Sequence, residues 1–327
     1  RNIGAIPGDP YTVATTYSRG KEQVWRDLRP SRYVASSADN AAWNEVFDAG
    51  AADRFKPEIV ALIGTNMRTA TVEFHTADSW ATPALSVSLN ATVWSGTVSA
   101  SVVYSDRGYI GSSSAEWRSG QFKSDGDAHR WFVQVGTDVY EITDNDESRI
   151  YVEGVNFSAV AGGTALYVFA DRMAARIPSQ AHYRYARISL SSQDTADGEY
   201  RIGTPIFDEA FDLTELYEHG YVDASTPNLV ITQADSGHRQ ITRKGPRRLS
   251  LAIQYGPQDR QASDWDERYT DFMQALEGGA FFMWRDTSDP TSCGLYTSLG
   301  PISRPNILGE HESWLGRIDQ TTLEEFW

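Results

Sequence analysis

The sequence predicts a mainly β protein: an antiparallel jelly-roll β-sandwich followed by a smaller α+β C-terminal domain. Three observations carry this. From Tyr33 to about Phe211, short stretches of alternating apolar and polar residues recur, divided by turn signals such as Gly126, Gly162-Gly163 and Asp197-Gly198. Around Ile59–Ser79 an apolar run ends in Gly64-Thr65-Asn66, after which Val72 and Phe74 alternate with Thr71, Glu73 and His75. That is the pattern of two sandwich strands joined by a tight corner. After Phe211 the texture changes, and one clear helix pattern appears among strands.

Residues 1–30 are rich in Gly, Pro and polar residues without periodicity, as in an arm that gains order by lying on something else. The sandwich domain is placed at 31–213. Trp43, Val46 and Phe47 stand at near-helical spacing, which predicts a short helix between Ala38 and Phe47. Strands are expected at Val72–Thr76, Thr97–Tyr104, Arg130–Val135, Val139–Ile142, Arg149–Glu153, Ala165–Ala170, Tyr183–Leu190 and Tyr200–Ile202. Ala165–Ala170 is nearly continuous in apolar character, as in a strand buried on both faces. Such short strands at loosely regular spacing build sandwiches and jelly rolls.

The C-terminal domain is placed at 214–327. Leu249, Leu251, Ile253 and Tyr255 alternate with Ser250, Ala252 and Gln254, a half-buried strand. Ser263 is set as a helix N-cap with Asp266 three residues on. Trp265, Tyr269, Phe272 and Leu276 form one apolar face, and Gly278-Gly279 ends the helix. Strands Ala280–Arg285 and Gly294–Leu299 flank the Asp289-Pro290 turn.

Composition narrows the function classes. The chain of 327 residues carries 10 Trp and 16 Tyr, ample aromatic surface for a packed core and for interfaces. Its formal net charge of -15 repels phosphate backbones, so sequence-unspecific nucleic-acid binding is not expected, although an acidic lining suits a channel through which DNA slides. The basic cluster of Arg239, Arg243, Lys244, Arg247 and Arg248 surrounds Gly245-Pro246 and reads as a solvated loop, with contact to an acidic neighbouring subunit as the alternative. A single cysteine, Cys293, permits no intrachain disulfide or thiolate cage and suits a reducing cytoplasm. No apolar run of transmembrane length and no signal-peptide pattern is present.

No catalytic residue is marked. The six histidines have no metal-ligand spacing, and Gly-x-Ser-x-Gly and phosphate-loop patterns are absent. The one weak metal candidate is Asp144-Asn145-Asp146-Glu147-Ser148. Alternate oxygen side chains at Asp144, Asp146 and Ser148 could wrap Ca²⁺, against the simpler reading of a polar hairpin between Val139–Ile142 and Arg149–Glu153. The Gln193–Gly198 loop reads the same way. No cofactor is expected. Trp80, Trp94 and Trp117 are candidate interface or glycan contacts, since a sugar face stacks on an aromatic ring. Arg243, Arg247 and Trp327, the last in an apolar–acidic terminus, are candidates for docking on a neighbour.

Three segments, in order, resemble a family. Ile59–Ser79 resembles the first strands of galactose-binding-like (discoidin-type) jelly rolls in tail proteins of tailed bacteriophages. Tyr183-Arg184-Tyr185-Ala186-Arg187-Ile188-Ser189-Leu190 and Asp197-Gly198-Glu199-Tyr200-Arg201-Ile202-Gly203 are similar to the late strand and the closing segment of that fold. Arg247–Leu251, the helix ending at Gly278-Gly279 and Leu295–Gly300 resemble the C-terminal module of phage minor tail or tail-tip proteins. The likeness runs from Tyr33 to Leu299 with a less familiar middle at 95–154, and Thr204-Pro205-Ile206-Phe207 departs from the usual apolar-Gly step. It implies a non-enzymatic structural subunit of a phage tail tip or baseplate, located in the virion tail after synthesis in the host cytoplasm. Its partners would be other tail proteins and copies of itself in a ring. The alternative is a carbohydrate-binding module for adsorption to host-surface glycan.

Overall fold

The computed structural model describes residues 11–12, 17–19, 34–36, 38–50, 55–99, 108–124, 129–178, 181–210, 231–233, 239–241, 248–255, 281–284, 289, 291–298 and 316–325. These residues form antiparallel sheets, and no helix occurs among them. None of them therefore lies in a helix long and apolar enough to cross a membrane. The chain divides into two compact units, one mainly Ile3–Glu209 and the other mainly Ala210–Met283 and Gly294–Phe326.

In the first unit a five-stranded sheet runs in the order β1 (Tyr11–Thr12), β4 (Trp43–Asp48), β16 (Tyr185–Leu190), β6 (Thr69–His75) and β7 (Leu85–Asn90). Register explains which side chains turn inward. Phe47, Ala186, Phe74 and Leu85 lie in one row, and Glu45, Ile188, Val72 and Val87 in the next. This face meets a three-stranded sheet of β15 (Arg172–Arg176), β5 (Ile59–Ile63) and β18 (Thr204–Asp208). Val60, Leu62, Met173 and Phe207 from that sheet join the same buried cluster. Phe207 is the centrepiece, meeting Phe74, Phe55 and Phe47 edge-on at 5.4, 5.5 and 5.8 Å between ring centroids. Such edge-to-face contacts add to area burial in holding two sheets together. A small sheet of β17 (Arg201–Ile202), β3 (Val34–Ser36) and β2 (Tyr17–Arg19) brings Ile202, with the preceding Tyr200, into this core.

Between β7 and β15 the chain makes an excursion with a core of its own. β11 (Asp138–Glu141), β10 (Trp131–Val135), β14 (Ala165–Ala170) and β8 (Thr92–Thr97) form a four-stranded sheet, and β12 (Asp144–Asn145), β13 (Arg149–Tyr151) and β9 (Tyr109–Gly111) a three-stranded one. Val133, Val135, Leu166 and Val168 pack with Ile110, Trp117, Phe122, Ile150 and Phe157. The opposite face of the four-stranded sheet supplies Phe132, Phe169 and Val139 to the sandwich core. Phe132 and Phe169 are register partners and stack at 5.3 Å. β14 is thus buried on both sides, as its unbroken apolar run demands.

Several sequence expectations need correction. Residues Trp43–Asp48 form a strand, where a short helix was expected between Ala38 and Phe47. Trp43 and Phe47 turn inward while Val46 is buried on the other face, because pairing to β16 imposes a period of two. Of the strand expected at Thr97–Tyr104, Thr97 ends β8, Val98 and Ser99 lie outside any strand, and residues 100–107 are outside the described residues. The hairpin expected between Val139–Ile142 and Arg149–Glu153 is instead a tighter one between β12 and β13, while β11 pairs with β10.

The second unit contains a two-stranded sheet, β19 (Ile231–Gln233) and β20 (Arg239–Ile241), and a four-stranded sheet ordered β21 (Arg248–Tyr255), β24 (Gly316–Glu325), β23 (Cys293–Ser298) and β22 (Phe281–Trp284). Arg239 and Arg248 therefore lie in strands, not in the solvated loop expected for the whole basic cluster. The expected helix at Ser263–Leu276 lies outside the described residues.

Candidate functional site

The polar groups of the first unit concentrate where the Gly64-Thr65-Asn66 corner meets the Asp197–Gly203 segment. Gly64 has φ +71°, which a residue with a Cβ adopts at a cost, and this turn carries the chain from one sheet to the other. Asn66 is fully buried. Its Nδ2 donates to Asp197 Oδ2 at 2.9 Å and to the Glu199 carbonyl at 2.7 Å, and its Oδ1 accepts the Arg201 N–H at 2.9 Å. Gly203 N–H then donates to the Gly64 carbonyl at 3.2 Å.

Arg130, arriving from the excursion, completes the cluster. Its Nη1 and Nη2 grip Asp197 Oδ2 and Oδ1 at 2.9 and 3.0 Å, and its Nε and Nη2 reach Glu141 Oε2 at 3.1 and 2.6 Å. The guanidinium also sits over the Phe132 ring at 4.9 Å. Burial pushes the Asp197 carboxyl up, but Arg130, Asn66 and Arg201 outweigh it and hold the group below its ordinary value. Burial likewise opposes the Arg130 charge, and the two carboxylates more than compensate. A general acid would need a carboxyl pushed the other way. The arrangement is that of a clamp.

The neighbouring loop is equally engaged. Tyr200 stacks on Trp43 at 6.1 Å, and its hydroxyl donates to the Ala41 carbonyl at 2.9 Å while accepting the Gln193 N–H at 3.1 Å. Asp39 Oδ2 accepts the Thr195 N–H at 2.7 Å. The Gln193–Gly198 loop is a fixed part of the sandwich end.

The outer face of the five-stranded sheet carries a second set of paired charges, here set against aromatic rings. Arg187 Nε donates to Glu73 Oε2 at 2.7 Å, and its guanidinium lies 4.7 Å from the centre of the Trp80 ring. The Trp80 indole N–H donates to Asp78 Oδ1 at 2.7 Å. Just before the start of β16, Arg184 holds Asp48 through two hydrogen bonds of 2.8 Å and covers the Tyr185 ring at 4.9 Å. The Arg184 hydrogen bond holds the Asp48 carboxyl below its ordinary value against the opposing effect of burial. Aromatic faces edged by charged hydrogen-bonding groups suit a polyhydroxylated ligand or a protein partner.

The other candidates fall elsewhere. Trp94 meets Trp117 edge-on at 4.9 Å, and Trp117 meets Phe122 at 5.7 Å. Trp117, 5% exposed, belongs to the core of the excursion, so its ring is out of a ligand's reach. Trp94 packs against that core and covers Gly96, where an added Cβ would sit 2.4 Å from the indole. In the Asp144–Ser148 turn, Asp146 Oδ1 accepts the Ser148 and Arg149 N–H groups at 2.9 and 2.8 Å, and Oδ2 accepts the Tyr151 hydroxyl at 2.9 Å. Burial raises the Asp146 pKa, and these bonds more than reverse it. Asp144 Oδ1 accepts the Asn145 N–H at 2.9 Å. The turn is built from its own carboxylates, and among the described residues no group of three or more His, Cys, Asp or Glu could hold a metal ion. Arg243, Arg247 and Trp327 lie outside the described residues.

Sequence reasoning singled out neither Arg130 nor Arg187. Arg130 carries no local signal, since its partners are 11 and 67 residues away. Arg187 stood in the quoted Tyr183–Leu190 segment, where alternation already set it opposite the core face. No family model, no curated protein and no solved structure matches the chain.

Proposed function

We propose that the protein is a non-enzymatic structural subunit of a phage tail tip or baseplate, assembling with other tail proteins and with copies of itself in a ring. On this reading the five-stranded and three-stranded sheets are the two layers of a galactose-binding-like jelly roll, and residues 214–327 form a smaller α+β assembly domain. The observation that supports it most is the Asn66 clamp. The opening and closing segments of the resemblance, joined across 131 to 135 residues, are hydrogen-bonded to each other by a buried side chain. The clamp leaves its charged groups paired with one another, as suits a scaffold. The acidic balance suits a lumen that conducts DNA without holding it.

The test is labelling. Antibodies raised against the purified chain are expected to decorate one end of the tails of particles propagated in a host that carries the coding sequence. Undecorated tails would overturn the assignment. The second reading, a carbohydrate-binding module, is favoured by the Trp80–Arg187–Glu73 face. It predicts saturable binding to host-surface glycan that Trp80→Ala abolishes while the melting temperature holds. A flat glycan titration with the intact chain would remove it.

A further inference from the structure

We infer that Asp197-Gly198 is a self-modification site, held shut by the Arg130 clamp, at which the chain converts through a succinimide to an isoaspartyl linkage. The reaction needs only the chain and water. The Gly198 nitrogen attacks the Asp197 carboxyl carbon and gives up its proton, a C–N bond forms, and one carboxyl oxygen leaves as water. Water then opens the five-membered ring at either carbonyl. One opening restores aspartate, and the other leaves the chain joined through the former side chain. No electrons are exchanged, and the isoaspartyl product has the mass of the starting chain.

The nucleophile is ready for this step. Glycine has no side chain to crowd the attack, and an added Cβ at Gly198 would meet nothing within 4 Å. Gly198 is exposed, and its φ of +70° is one that glycine adopts without strain. Its N–H donates to no described residue. The chain has one other Asp-Gly pair, Asp125-Gly126, outside the described residues.

The electrophile is what the fold withholds. Ring closure requires the carboxyl carbon to swing onto the Gly198 nitrogen and one oxygen to depart. Both oxygens are held. Arg130 bonds Oδ1 at 3.0 Å and Oδ2 at 2.9 Å, while Asn66 Nδ2 and Arg201 Nη1 reach Oδ2 at 2.9 and 3.3 Å. The backbone beyond is fixed as well. The Gly198 carbonyl accepts the Asp39 N–H at 3.1 Å, and the Glu199 carbonyl accepts Asn66 Nδ2 at 2.7 Å and Thr195 Oγ1 at 3.0 Å. An intramolecular attack is fast only when the reacting atoms come into line, and this grip keeps them apart. Burial pushes the Asp197 carboxyl up, but Arg130, Asn66 and Arg201 outweigh it and keep the group ionised at neutral pH. An ionised carboxylate gives up an oxygen less readily than the acid does.

Arg130 alone holds both oxygens, and it comes from the excursion, 67 residues away in sequence. A local opening that withdraws it frees the carboxyl to react. The isoaspartyl linkage adds one carbon to the main chain and moves the carboxylate, so the grip does not re-form. The modification thereby records each such opening permanently. The inference is independent of the tail reading, and it stands or falls without it.

The test uses the full chain, incubated at neutral pH both folded and unfolded in urea. Peptide mapping with enzymatic methylation of isoaspartate measures the product at each Asp-Gly pair. The unfolded chain is expected to accumulate isoaspartate at Asp197, and the folded chain to do so at least about tenfold more slowly. Arg130→Gln, under conditions where its urea curve shows it folded, is expected to raise the folded rate at Asp197 by about tenfold or more. Arg130→Lys keeps the charge but cannot grip both oxygens in one plane, and is expected to give a rate between those two. A folded wild-type chain that isomerises as fast as the unfolded one overturns the inference. So does an unfolded chain that forms no isoaspartate at Asp197, or folded Arg130 variants that react at the wild-type rate.

Discussion

The sandwich and its excursion are both two-sheet β structures, yet they are closed in opposite ways. The sandwich core gathers residues from Trp43 to Phe207, and its central strand β16 pairs with β4 and β6, more than a hundred residues earlier. Its polar fastenings are equally long-range: Asn66 to Glu199, Arg130 to Asp197, Arg184 to Asp48. The core of the excursion lies wholly between Val98 and Val168, and its fastenings stay within that stretch, from turns such as Asp146 holding the N–H groups of Ser148 and Arg149 to Asn145 reaching Phe122 and Arg118. The shared four-stranded sheet ties the two together. One of its faces serves each core, so the excursion is a structural layer of the sandwich.

The sharpest way to break that comparison is Phe132→Ala. Phe132 sits on a strand of the excursion but is fully buried in the sandwich core against Phe169. Its loss is expected to destabilise the first unit by about 3–5 kcal/mol. Urea unfolding followed by amide exchange should show β10 and β5 losing protection together. Loss confined to the excursion would mean the shared sheet does not couple the cores.

Next comes a pair of buried asparagines. Asn66→Ala removes the bonds to Asp197, the Glu199 carbonyl and the Arg201 N–H together, and is expected to cost about 2–4 kcal/mol. Asn145 bonds the Phe122 N–H at 2.7 Å and the Arg118 carbonyl at 2.8 Å, the same chemistry closed within the excursion. Asn145→Ala is expected to cost about 1–3 kcal/mol. Exchange should quicken first around Asp197–Gly203 in one variant and first around Phe122 in the other. Identical exchange maps would erase the long-range and local distinction.

The smallest effect concerns pH. Asp197 is depressed in the folded state, so its contribution is fully present above the unfolded carboxylate value of about 3.9. It is lost as pH falls through that value toward the folded one. Denaturant midpoints are expected to be flat above about pH 5 and to fall below about pH 4. Asp197→Asn should lower the plateau and flatten part of the acid slope. An acid slope identical to the wild-type one would remove Asp197 from the clamp's electrostatics.

Much of this was legible in the chain. Ala165–Ala170 forms a strand with the bounds its apolar run suggested, and the Gly64–Asn66 corner lies between β5 and β6. Trp43–Asp48 was misread because three large apolar residues at near-helical spacing say nothing about which neighbours will pair. The candidate tryptophans divided for a similar reason. Trp80 and Trp117 are the same residue type in polar surroundings, and only packing sends one to the surface and the other into a core.

The sequence alone determined the local terms: the alternation that makes strands, the glycine that allows a positive φ at the corner, and the acidic balance. Each depends on neighbours within a few residues or on a simple sum. The tertiary structure decided what those strands lie beside. It set Asn66 against Glu199 and Arg130 against Asp197, and gave β14 two cores. Those outcomes depend on which distant segments reach each other when two cores close together, and no residue carries that information by itself.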